Sequence, residues 1–245
     1  MLRSMQTMRW AVMFVSGRSH SRKPGNRRPG SRLYILTEGA VTEREYFCCI
    51  RERLGIAKEL VTIKKAQCTD PNGMVDEAIK LKKKNATESY RGNDVVVDRW
   101  WIVLDSECRY SNMRDALMKA KKNGILLAVS DPSIELWLLL HFRYTTAAYD
   151  SASQLIEELS KSQLLPGYGS RNKKPKMDVL YPRIHEAVRN ARRLRSNHTC
   201  KGNTHPLTDV DLLLDDLAAQ ASPGNRPEYA HDFDSGELFM NRAGY

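Results

Sequence analysis

Three short stretches of this chain deliver carboxylates to positions where they can act on a ligand. In Leu33-Tyr34-Ile35-Leu36-Thr37-Glu38-Gly39 an apolar, β-branched run stops at an acid and a glycine, and Val41-Thr42-Glu43-Arg44-Glu45-Tyr46-Phe47 then reads as a helix with Thr42 as its cap. Glu38 is thereby set on a strand-to-helix corner. Beyond the carboxyl end of a strand in an open α/β sheet, such a corner holds a side chain rigidly while letting it reach solvent. A second corner follows at Trp101-Ile102-Val103-Leu104-Asp105-Ser106-Glu107. Acids from two strand ends make a set of hard oxygen ligands that suits Mg2+ or Mn2+. The third stretch is Ser130-Asp131-Pro132-Ser133-Ile134-Glu135-Leu136-Trp137-Leu138-Leu139-Leu140-His141-Phe142. Pro132 fits a helix start, Ser133 or Asp131 can cap it, and the nearly all-apolar remainder predicts a buried helix. A carboxylate at its first turn is costly unless Glu135 is paired or ligates a metal, although capping and the helix dipole are competing explanations. His141 lies on another face and reads as a packed side chain.

These acids need strands and helices to place them. Tyr46, Phe47, Ile50 and Leu54 recur at helical spacing and Gly55 ends that helix; Leu60-Val61-Thr62-Ile63 reads as the second strand. Asp70-Pro71-Asn72-Gly73 reads as a turn, and Met74, Val75, Ala78, Ile79 and Leu81 line a helix that finishes in Lys82-Lys83-Lys84. Trp100 to Leu104 is apolar on both faces, as a central parallel strand is. Met113, Ala116, Leu117 and Ala120 make the next helix, closed by Asn123-Gly124, and Ile125 to Ser130 is the fourth strand. Strand and helix alternate throughout, which predicts an α/β fold with a mostly parallel four-stranded sheet flanked by helices.

The last third is helical and basic. Arg171, Lys173, Lys174 and Lys176 precede a helix starting near Pro182, with Ile184, Ala187, Val188, Ala191 and Leu194 as its inner stripe and Arg189, Arg192, Arg193 and Arg195 on its other surface. Such an extension beside an acidic site can carry a phosphate backbone past it, or be only a solubilising face. A final amphipathic helix uses Val210, Leu212, Leu213, Leu214 and Leu217. The chain of 245 residues carries 39 basic against 29 acidic side chains, a net charge of +10, and a basic excess of that size favours polyanions. Residues 1–31 hold no acid and crowd Arg18, Arg22, Lys23, Arg27 and Arg28 into Gly, Pro and Ser, so they read as a disordered basic arm. No apolar run is long enough to span a bilayer. The five cysteines form no CxxC pair and point to a reduced, cytoplasmic setting. His198, Cys200 and His205 lie close together but lack a fourth ligand for a standard zinc site.

Beyond what composition gives, the order strand-Glu38-Gly39, Glu43, strand-Asp105-x-Glu107 resembles the Toprim fold of topoisomerases, bacterial primases and OLD-type nucleases. More narrowly the chain resembles RloB-like proteins, phage-defence Toprim proteins often encoded beside an AAA ATPase. The matching features are Glu38-Gly39 with Thr42-Glu43 and Tyr46-Phe47, the Asp105 corner, the block from Ser130 through Phe142, and Asn190-Ala191-Arg192, over about residues 32 to 217. Two positions depart from the pattern: Glu107 stands where Toprim proteins usually have Asp, and Asp131 where the family more often has Asn.

The resemblance implies a Toprim-like catalytic domain at 32–145, a helical basic lobe at 146–221 and a disordered tail at 222–245. It implies Mg2+- or Mn2+-dependent phosphodiester cleavage in transfer RNA or DNA, as the effector of an abortive-infection system. Glu38, Asp105 and Glu107 would be catalytic, with Glu38 as general acid or base. Glu38, Glu43, Asp105, Glu107 and Glu135 would hold metal, and Arg171, Lys173, Lys174, Lys176, Arg189, Arg192 and Arg193 would contact nucleic acid. The expected partners are nucleic acid and an AAA- or ABC-type ATPase, with homo-oligomerisation allowed and no membrane. The alternative is a nucleic-acid-binding or adaptor module with a vestigial site. Scattering these acids, or plugging their pocket with a lysine or arginine, would count against the nuclease reading.

Overall fold

The computed structural model describes residues 32–92, 94–109, 113–161, 163–201, 205–222 and 224–230, of which 198–201 are described by backbone alone. The basic arm at 1–31, the side chains of His198 and Cys200, and residues 231–245 of the tail lie outside them. The elements run β1 (Leu33–Thr37), α1 (Thr42–Arg53), β2 (Val61–Lys65), α2 (Pro71–Tyr90), β3 (Arg99–Asp105), α3 (Arg114–Lys122), β4 (Leu126–Asp131) and α4 (Ile134–Leu140). They continue with α5 (Ala152–Lys161), α6 (Met177–Leu180), a 3-10 turn at Tyr181–Arg183, α7 (Ile184–Lys201), β5 (Leu207–Thr208) and α8 (Val210–Ala219).

The sheet is open, in the order β2-β1-β3-β4-β5, and parallel except for its last member. The expected four strands are joined by a fifth: Leu207 and Thr208 pair antiparallel with Asp131 and Ser130, and the Thr208 hydroxyl lies 3.0 Å from Ser130 Oγ. A two-residue strand has no periodicity to read, so only its partner reveals it. Because β1 connects outward to β2 while β3 lies on its other side, the chain reverses direction across the sheet between β1 and β3. That reversal opens a crevice at their carboxyl ends.

Several local expectations shift for physical reasons. Asp70 to Gly73 is not a free-standing turn: Asp70 caps α2, its carboxylate accepting from Gly73 N at 2.8 Å, with Pro71 in the first turn. The helix runs on past the lysines to Tyr90, and Lys82 Nζ donates across to the carbonyls of Asn123 and Gly124 at 2.8 and 2.9 Å. Thr42 opens α1 without capping it; its hydroxyl donates instead to the carbonyl of Lys173 at 2.8 Å.

One apolar cluster runs from Leu33 to Tyr229 and takes in the inner stripes of α7 and α8. The motif Asn190-Ala191-Arg192 serves this joint. Asn190 Nδ2 donates to the Leu140 carbonyl at the end of α4 (2.8 Å), Ala191 is buried, and Arg192 grips Asp215 of α8 at 2.9 and 3.1 Å. His141 is packed as expected: Nδ1 donates to the Trp137 carbonyl, Nε2 faces the Tyr46 hydroxyl at 3.2 Å, and burial lowers its pKa to about 4, which keeps it neutral. Of the tail expected to be disordered at 222–245, residues 222 and 224–230 are described; there Tyr229 is buried with its ring edge-on to His185. Among the described residues no helix is long and apolar enough to cross a membrane.

Candidate active site

The register of β1 on β3 pairs Thr37 with Val103, and Glu38 N continues the ladder to the Val103 carbonyl at 3.0 Å. The strand ends are thereby level, and Glu38 Oε2 accepts from Asp105 N at 3.0 Å. Asp105 in turn uses Oδ1 to accept from Ile134 N at 2.9 Å. Neither Ser133 nor Asp131 caps α4; the strand-end aspartate next door does. Glu43, in the first turn of α1, folds back so that Oε1 accepts from Gly39 N at 3.0 Å. Gly39 has to lack a side chain here: a Cβ would stand 2.6 Å from Glu43 Cδ. Glu38, Glu43 and Asp105 thus each spend an oxygen on a backbone amide that fixes their orientation, and each has a second oxygen to offer.

Glu135 is wholly buried in the first turn of α4. Its Oε1 accepts from the Tyr168 hydroxyl at 2.9 Å and lies 3.4 Å from Lys173 Nζ, while its Oε2 is buried with no hydrogen-bond partner. Glu107 is exposed at the rim, in a left-handed backbone conformation (φ 50°), its amide bonded to the Pro132 carbonyl. All five acids are thus at or near one cleft of about 560 Å³, whose lining includes Glu38, Glu43, Asp105, Glu107, Lys173 and the segment Asp150 to Ser153.

The electrostatics follow from crowding. Burial raises the Asp105 carboxyl well above the usual range, and Glu43, Glu135 and Glu38 push the same way. Burial also raises Glu38, against its hydrogen bond from Asp105 N and with the help of Glu43 and Glu107, and it raises Glu43 with the help of Glu135. Lys173 lowers both, but one ammonium with 45% of its side chain exposed cannot balance the group.

A divalent cation suits this donor set in chemistry and charge, and the partnerless Glu135 Oε2 is the kind of oxygen that a cation satisfies. The set is not closed. Among the described residues no three of these acids bring their oxygens within 4.8 Å of one another, so a bound cation would have to draw them together.

The seven basic residues expected to meet nucleic acid fall into different settings. Arg171, Lys174 and Lys176 are exposed on the segment that leads into α6. Lys173, of the same run, enters the cleft and supplies its lysine, which no local pattern announces. Its placement depends on the Thr42 hydroxyl holding its carbonyl and on Tyr168 anchoring the loop. Arg189 is exposed beside Glu186, and Arg193 stacks over Tyr144 with 4.0 Å to the ring centroid. Arg192 does not share that exposure, since its guanidinium is held by Asp215 and by the Tyr229 carbonyl at 2.9 Å.

Comparison with curated proteins and with solved structures finds no match. The model of the RloB-like protein family does match, over residues 33–217, a span that holds every strand of the sheet, the five acids and the Asn190-Ala191-Arg192 joint, and the chain therefore belongs to the RloB-like family.

Proposed function

We propose that this RloB-like chain is a Mg2+- or Mn2+-dependent nuclease of Toprim type that hydrolyses phosphodiester bonds in transfer RNA or DNA, as the effector of an anti-phage system triggered through an ATPase partner. One observation carries the reading: Glu38 and Asp105, from neighbouring strand ends, are locked side by side, with Glu43 and Glu135 close enough to raise the Asp105 pKa. Uncompensated carboxylates destabilise a fold, so their convergence calls for a function that uses the charge. A divalent cation bound here would polarise the phosphoryl group and neutralise charge building on it.

The chain's own groups divide the remaining tasks. Glu38 is raised by burial and half-buried at the mouth, which suits a group that takes a proton from attacking water and returns it to the leaving oxygen. Asp105, held by the Ile134 amide, fixes the position of the ligand oxygens. Lys173 Nζ offers a positive charge to a phosphate oxygen, and Arg171, Lys174 and Lys176 continue the positive surface outward.

The rival adaptor reading has its own support. A lysine already pairs with the fully buried acid, and among the described residues no three of the carboxylates bring their oxygens within 4.8 Å of one another. The deciding experiment incubates purified protein, with and without its ATPase partner, with labelled transfer RNA and DNA in Mn2+. Cleavage that is lost in chelator and in Glu38→Gln and Asp105→Asn, with nucleic-acid binding retained, supports the nuclease. Nucleic-acid binding without cleavage under every condition, or cleavage indifferent to both substitutions, overturns it.

A further inference from the structure

Next to the cleft-lining residues Glu107 and Pro132 the fold assembles a different donor set. Cys108 on the turn after β3, Asp131 at the end of β4 and His205 on the approach to β5 place one ligand atom each, all within 4.8 Å of one another. They come from segments far apart in the chain, and β5 pairing with β4 is what brings His205 to Asp131. Asp131 is buried, its Oδ2 2.6 Å from His205 Nδ1, and its Oδ1 accepts from the Ser106 hydroxyl. Cys108 has a left-handed backbone (φ 62°), following Glu107 in the same region. Two such residues in succession, neither a glycine, mark a strained turn, on which the exposed Cys108 places its sulfur 3.3 Å from the Tyr149 carbonyl.

We propose that Cys108, Asp131 and His205 form a binding site for a thiophilic divalent transition metal, Zn2+ above all, separate in chemistry from the oxygen-only cleft. Thiolate, imidazole and carboxylate together are borderline-soft donors that hard Mg2+ does not seek, and three protein ligands leave a tetrahedral ion one open position for water. Ligand atoms around tetrahedral zinc stand about 3.3–3.8 Å apart, given the usual bond lengths. The Asp131–His205 pair, at 2.6 Å, therefore has to open by roughly an ångström to admit the ion. The Cys108 thiol proton and the proton shared between Asp131 and His205 leave to solvent as the metal enters. Ser106 stays on the outer oxygen of Asp131 and holds that ligand's orientation. An ion here would staple the β3 turn to the ends of β4 and β5. Because Glu107 precedes Cys108 and Pro132 follows Asp131, that staple would also stiffen two walls of the acidic cleft. His205 has Cys108 and Asp131 as neighbours in the fold, residues that its place in the chain beside His198 and Cys200 does not announce.

The test uses the full-length protein stripped of metal and titrated with Co2+, whose thiolate charge-transfer absorption reports a Co–S bond directly. One equivalent should produce that absorption in wild type and in Cys68→Ser, and Zn2+ but not Mg2+ should abolish it. Cys108→Ser should lose it, and Ser106→Ala should weaken Co2+ binding by about 10- to 100-fold. Circular dichroism on each variant separates loss of the site from loss of the fold. The proposal is overturned if wild type gives no absorption, if the absorption survives Cys108→Ser, or if it vanishes in Cys200→Ser. The readout needs no nucleic acid and no Mn2+, so a failure here leaves the nuclease reading standing, and a failure of cleavage leaves this site standing.

Discussion

Two groups of buried and half-buried acids lie in different parts of the fold, one on α8 and one at the carboxyl ends of β1 and β3, and the chain treats them in opposite ways. On α8, Asp211, Asp215 and Asp216 are each met by an arginine: Arg195 for the first, Arg192 for the second and Arg99 for the third, with Trp101 Nε1 adding a 2.7 Å bond to Asp216. Arg192 and Arg195 are three apart on α7 and Asp211 and Asp215 four apart on α8, so two helix faces meet charge for charge. At the cleft, among the described residues, Glu38, Glu43, Asp105 and Glu135 have Lys173, half-exposed, as their shared cation, the first three being oriented by backbone amides and Glu135 by the Tyr168 hydroxyl. Where acids serve the fold, cations from the same chain neutralise them; where they crowd together under-compensated, the missing charge has to come from outside.

Breaking the functional side should give the largest effect. Glu38→Gln keeps the bond from Asp105 N but cannot move a proton, and single-turnover cleavage should fall by about 10²–10⁴-fold with an unchanged circular dichroism spectrum. Breaking the structural side should cost stability instead. Asp216→Ala removes the carboxylate that both the partly buried Arg99 and the Trp101 indole bond, and urea unfolding should report a loss of about 1–3 kcal/mol. Equal losses of stability in the two variants would erase the distinction.

The dependence on pH sharpens the contrast. Asp105, Glu38 and Glu43 hold protons more tightly folded than unfolded, so above the ordinary carboxylate range these groups cost stability, and the cost grows as pH rises through their raised pKa values. His141 works the other way: its pKa falls from 6.5 to about 4, so stability drops as pH falls through that window. A difference measurement separates them. In chelator, Asp105→Asn should unfold at a higher temperature than wild type at neutral pH, and the gap should shrink toward pH about 5. Saturating Mn2+ should close the gap by stabilising wild type alone. The smallest effect belongs to Lys173→Gln. With the internal cation removed, Mn2+ binding measured by calorimetry should tighten about two- to fivefold, the range of a partly exposed pair worth up to about 1 kcal/mol. Weaker Mn2+ binding in that variant would mean that Lys173 organises the cleft and does not compete for it.

Chain-local signals set the alternation of elements, the strand ends that carry Glu38 and Asp105, the buried character of α4 and the inner stripe of α7. Each of these rests on periodicity or on a chain-local signal such as a glycine, proline or apolar run. Tertiary structure alone decided who neutralises whom. Asp105 caps a helix 29 residues away, Arg99 finds Asp216 at a separation of 117, Lys173 reaches Glu135, and a two-residue strand carries His205 to Asp131. The physical reason is that backbone periodicity is set within a few residues. Charge pairing and metal-ligand geometry instead depend on distances of a few ångströms between segments, and those distances exist only once the sheet has closed its register.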